Sequence, residues 1–179
     1  MKNPKVEELH ELALQVFQVF TAEDLNCMVD DVPPTTRFLR FLDLMRQVLQ
    51  VDPDEPRALS NIAQMARVLS LDESRQAAER LVQIEPSYHN YAVLGRILLQ
   101  AGDFERAGNA LDEALALGSD FYLWMDLAVA RANAGRLQEA LDCVEKGLRL
   151  AEAEHDVKAA VGLRDQILRN LDRVHGGKP

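Results

Sequence analysis

The sequence predicts an all-α fold, a solenoid of antiparallel helix pairs. Three observations carry this: a 33-residue internal repeat, helical spacing of apolar residues, and glycines between helices. The segments VLQVDP at 48–53, LVQIEP at 81–86, ALALGS at 114–119 and GLRLAE at 147–152 each begin 33 residues after the one before. A unit recurring at such a period buries its apolar face against neighbouring copies. About eight helices are expected, with capping helices at both ends, in a single domain spanning 1–179.

Residues 4–32 read as N-terminal helices. The first, near 4–20, carries Val6, Leu9, Ala13, Val16, Phe17 and Phe20 as a wide stripe that either caps the solenoid or pairs with another copy of the chain. The second, at 22–30, follows Thr21, which has the look of a capping box with Asp24. Pro33-Pro34 then breaks the chain, and Thr35 or Thr36 can cap a helix carrying Phe38, Phe41, Leu42, Met45 and Leu49, so 35–53 reads as a partial repeat. Residues 54–87 form a degenerate repeat, with Leu59, Ile62, Ala63 and Ala66 on its first helix and Ala78, Leu81 and Ile84 on its second. No glycine marks its turn near Ser70-Leu71-Asp72.

The unit is clearest at 88–120 and 121–153. Tyr91, Leu94, Gly95 and Leu98 follow the i, i+3, i+4, i+7 rule, and Gly95 is small enough for a partner helix to come close. Gly102 ends that helix, Asp103 can cap the next, and Ala107, Leu111 and Ala114 form the answering stripe. In the following unit the same places hold Trp124, Leu127, Ala128, Gly135, Ala140, Val144 and Gly147. A final helix at 154–174 reads as the C-terminal cap.

An aromatic residue, Leu-Gly or Leu-Ala, a Gly turn, then Ala, a larger apolar residue and a second small one: this series resembles the tetratricopeptide repeat. The resemblance implies a concave groove lined by the first helix of each pair, where the family's ligand contacts fall. Carried onto this sequence, the groove positions are His89, Ala92, Arg96 and Leu99 in one unit and Tyr122, Met125 and Val129 in the next. The degenerate unit would add Arg57, Gln64 and Arg67. A basic edge of Arg57, Arg67 and Arg96 would grade into an apolar patch of Leu99, Met125 and Val129, suited to an acidic-hydrophobic peptide or an amphipathic helix. The chain's own terminal helix is the other candidate to fill it. The Lys and Asn arrangement by which some members clamp a terminal carboxylate is not reproduced, because Ala92, Arg96 and Asp126 stand at or near those places.

The function implied is a non-catalytic adaptor or scaffold that binds another protein. Length, acidity and the added N-terminal helix also resemble the tetratricopeptide chaperones of type III secretion translocators, and a regulatory subunit of an enzyme complex is the third alternative. With 29 acidic and 20 basic residues the net charge is −9 and no Lys/Arg run is dense, which argues against a nucleic-acid partner. No apolar segment approaches the roughly 20 residues of a spanning helix, and the N-terminal residues carry no signal-type run, so a cytoplasmic location without membrane insertion is expected. Cys27 and Cys143 lack metal or redox spacing and read as buried thiols. His10, His89, His155 and His175 make no HxxxH or HExxH pattern, and phosphate loops are missing. Neither a metal, a cofactor nor a catalytic site is expected.

Overall fold

The computed structural model describes residues 3–21, 24, 34–65, 67 and 69–176, the side chains of 174–176 excepted. Among them are nine α-helices and no strand, one helix more than the count from the sequence. They fall into two compact units, Met1–Pro86 and Ser87–Pro179.

The first unit holds α1 (Pro4–Gln18), α2 (Thr36–Val51), α3 (Pro56–Met65) and α4 (Leu71–Ile84), each packed on the next. Capping side chains set where helices begin. Asn3 accepts from the Lys5 amide ahead of Pro4, Thr35 accepts from the Phe38 amide, and Ser70 accepts from the Glu73 amide. Ser70 thus starts the second helix of its pair as Asp103 does further on, with no glycine before it. Half of the stripe on α1 is used inside the chain: Val6, Leu9 and Ala13 are buried where α1 packs on α2, while Phe17 stays 44% exposed. The rings of Phe17 and Phe20 lie 5.0 Å apart and interlock with Phe38 and Phe41 at separations of 5.7 to 6.4 Å.

Asp24 ties the end of α1 to the start of α2. Its buried carboxylate accepts from the Thr21 amide at 2.7 Å, from the Thr35 hydroxyl, and from Arg37 at 2.9 to 3.1 Å. The Arg37 guanidinium, with the hydroxyl of Thr35, holds that carboxyl well below the usual range. The bond back to the Thr21 amide is half of the expected capping box. The rest of the expected 22–30 helix, Cys27, Ala66 and Val68 lie outside the described residues.

The second unit holds α5 (Tyr88–Gln100), α6 (Phe104–Leu117), α7 (Phe121–Asn133), α8 (Leu137–Leu148) and α9 (Glu154–Gly176). The α5–α6 and α7–α8 turns are alike. Gly102 and Gly135 sit at φ 75° and 80°, a left-handed conformation that side chains resist. Around Gly102, the Asp103 amide donates to the Leu98 carbonyl and the Gly102 amide to that of Leu99. Arg136 and Gly135 bond in the same way to Arg131 and Ala132. Both turns are thus complete Schellman motifs. A Cβ on Gly95 would stand 2.6 Å from the Leu111 side chain, so glycine is what lets α5 and α6 close up.

The markers read from the sequence end the second helix of each pair, since α2, α4, α6 and α8 finish at 51, 84, 117 and 148. The period shows in surface detail too. A crevice of about 250 Å³ beside Tyr91, Leu94 and Ala110 recurs at about 210 Å³ beside Trp124, Leu127 and Cys143. Burial pushes the Cys143 thiol up to about 11, leaving it a small apolar side chain rather than a nucleophile. Helix α9 packs chiefly on α8 with a lighter contact on α7, the same relation that α7 has to α6 and α5. It holds the place of the next first helix instead of lying across α5 and α7.

Candidate functional site

The positions singled out in the sequence divide between the two units. Seven lie on the first helices α5 and α7 of the second. Their exposed members are His89, Arg96 and Tyr122, while Leu99, Met125 and Val129 are half-buried. Ala92 is 3% exposed and presents almost no surface for a ligand. Met125 turns toward α8, where its methyl covers Gly147. Packing within the chain thus uses up Ala92 and much of Met125.

Polar links join the successive first helices. Arg96 of α5 donates to Asp126 of α7 at 2.6 Å. The Tyr88 hydroxyl donates to Asp120, the cap of α7, and burial together with that carboxylate pushes the phenol up to about 12. One repeat on, the Tyr122 hydroxyl donates to Asp156 of α9 at 3.2 Å, and the Asp156 charge raises the Tyr122 phenol as well. Asp120, Asp126 and Asp156 were absent from the sequence-derived set. Their partners precede them by 30 to 34 residues, close to one repeat, and that separation between oppositely disposed polar residues is the signal that could have found them.

These links change the electrostatics expected of the face. Arg96 is compensated by Asp126, whose carboxyl is pushed up by burial against the opposing pull of Arg96. An ion pair with its arginine half exposed contributes roughly 0–1 kcal/mol. Arg96 is therefore neutralised locally by Asp126 rather than forming a standing positive edge.

In the first unit, Arg57 lies between two carboxylates, 3.2 Å from Glu55 and 3.6 Å from Glu7. Gln64 donates to Ser60 at 3.0 Å, and Arg67 is exposed just past α3. A cleft of about 320 Å³ opens between α1, α2 and α3, with Arg57 at one end. Nothing in the sequence marked it, because its walls come from three separate helices.

Among the described residues no group of His, Cys, Asp and Glu is arranged to hold a metal, and no helix is long and apolar enough to cross a membrane. Trp124 donates to Ser119 at 2.9 Å and lies under the Lys146 ammonium at 4.7 Å, a structural setting.

Residues 88–118 match the tetratricopeptide repeat family. No curated protein matches the chain. Solved structures with a similar backbone include a MamA protein, at TM-score 0.68 and 13% identity over 98% of this chain and 97% of that one. MamA 41-end from Desulfovibrio magneticus RS-1 aligns at TM-score 0.65 and 13% identity over 94% and 96%. YrrB, described as a TPR protein with an unusual peptide-binding site, aligns at TM-score 0.69 and 16% identity over 95% and 84%. At these identities the likeness is one of fold. With the repeat matched at 88–118, its copy one period later and all-helical neighbours of the same kind, the chain contains a tetratricopeptide repeat and has the fold of tetratricopeptide repeat structures.

Proposed function

We propose that the chain holds a peptide or amphipathic helix of a partner protein on the face formed by α5 and α7. The observation that carries this reading is Tyr122. It is 55% exposed, yet its hydroxyl is tied to Asp156, so a large aromatic surface is displayed in one fixed orientation. A ring already fixed loses little entropy on contact, which is why tethered tyrosines serve as binding anchors. Leu99 and Val129 supply half-buried apolar surface on the same two helices, and the Arg96–Asp126 pair adds a polar contact beside them. YrrB, which shares the fold, is described as having a peptide-binding site.

The test is affinity capture from the producing cells, followed by affinity measurement with the partner recovered. Tyr122→Ala combined with Val129→Lys should weaken binding by about 2 kcal/mol or more, of the order of thirtyfold in Kd, with helicity and melting temperature unchanged. Capture at wild-type affinity by that double variant would move the site elsewhere.

A further inference from the structure

The ring of Tyr122 is held by a contact from outside its own helix pair. Its hydroxyl donates to Oδ1 of Asp156 at 3.2 Å, and Asp156 belongs to α9. Asp156 is 8% exposed and shares the buried face of α9 with Ala160 and Ile167. A carboxylate therefore stands in the face that α9 turns toward α8 and α7. Burying such a group is costly unless its oxygens are hydrogen-bonded. The start of the helix does not demand a buried acid at 156, because Glu154 in the same first turn complements the helix dipole with an exposed side chain. The Tyr122 hydroxyl does use one. Nε2 of His155 lies 3.3 Å from the same oxygen, on a side chain 78% exposed.

The repeat before shows what is particular to this pair. There Tyr88 donates to Asp120, which caps α7 and also holds the Leu123 amide, and the Tyr88 ring is half-buried over Gly118. One period after Asp120 stands Ala153, which has no side-chain acceptor. One period after Tyr88 stands Phe121, buried, with the Tyr122 ring 5.2 Å away edge-on. In the last repeat the hydroxyl has thus moved to the next residue, on the exposed side, and its acceptor has moved into α9.

We infer that Asp156 is the positioning residue of the α5–α7 face and that α9 arms it. With α9 docked, the Tyr122 ring is fixed for a partner; with α9 opened, the ring is released and the face loses its anchor. The inference rests on Tyr122 being that anchor. Helix α9 suits the role, because it buries little of itself and touches α7 only lightly, so it opens more readily than the helices before it. The linkage runs both ways: whatever holds the ring in its tethered pose also holds α9 down.

The test needs no ligand and uses the full chain. Native-state hydrogen exchange is followed in α9 and, as control, in α6, together with NMR relaxation of the Tyr122 ring. Tyr122→Phe keeps the ring and removes the hydroxyl; it should speed exchange over the first turns of α9 by about fivefold or more and leave α6 unchanged. Asp156→Ala should free the Tyr122 ring, and in the Tyr122→Phe background it should change α9 exchange by less than about twofold, since both substitutions remove one bond. Asp156→Asn keeps an acceptor without the charge. The ring should then stay ordered, while its phenol, which the Asp156 charge raises in the parent, should titrate lower.

Exchange in α9 indifferent to Tyr122→Phe, a ring equally ordered in Asp156→Ala, or additive effects of the two substitutions would overturn the coupling, whatever partner capture shows. Equal acceleration in α6 would overturn it too, as a general loss of stability. Wild-type capture by the Tyr122→Ala, Val129→Lys chain instead removes the binding role, and this inference with it, even where the coupling is measured.

Discussion

At the scale of single residues, the missing side chain of Gly95 decides how closely α5 and α6 approach. A Cβ there meets Leu111 at its branch carbon as well as a terminal methyl, so the leucine cannot simply swing aside. Gly95→Ala should cost about 1–3 kcal/mol by overpacking. One repeat on, the corresponding pair is Ala128 and Val144, a larger residue on one helix answered by a smaller one on the other, both buried. Adding Leu111→Val to Gly95→Ala recreates that pair and should recover most of the loss in chemical denaturation. A double variant no more stable than the single one would mean that the contact does not limit the approach. The need for smallness at 95 was legible in the sequence. The ion pair of Arg96 with Asp126 was not, because helical spacing orders residues within one helix and says nothing of where a long side chain finds a partner 30 residues away. Met125 shows the same limit: its flexible side chain fills the gap over Gly147, which helical spacing alone does not indicate.

At the scale of elements, helix boundaries follow from short polar side chains and glycines, and these were largely readable. The exception was the α3–α4 turn, where Ser70 caps α4 and no glycine marks the end of α3. Asp24 makes an element-level link that pH should expose. Its folded pKa lies below the ordinary Asp value near 4, so the stabilisation it brings is present above about pH 4 and drains away as pH falls through and below that value. Asp24→Asn should therefore unfold at a lower urea concentration than the parent at pH 7, with the gap narrowing steadily toward pH 2. A gap of constant size across that range would show that shape, not charge, is what Asn fails to supply.

At the scale of the molecule, stability is unevenly spread because burial is. In α9, among the described side chains, only Asp156, Ala160 and Ile167 are buried, and Val157 and Leu168 are each 40% exposed. By contrast α6, a shorter helix, buries Ala107, Gly108, Ala110, Leu111 and Ala114. Local opening follows buried contact. Hydrogen exchange should therefore be fastest in α9 among the helices of the second unit and slowest in α6; comparable protection of the two would contradict this distribution. The all-helical class and the 33-residue order were plain from one sequence because they are written in every repeat. The cleft between α1, α2 and α3 lies outside the two clear repeats, and its walls come from three separate helices, so helical spacing does not mark it.

The order of packing also bears on how the chain acquires its structure. Each helix rests mainly on the helix next to it in the chain, and within the second unit no strong contact reaches beyond the next but one. Bringing such neighbours together closes only short loops, so little chain entropy is spent before the first apolar contacts form. Low contact order of this kind goes with folding on the order of microseconds to milliseconds. Newly made chain can therefore begin to fold at the ribosome before its later repeats have been synthesised.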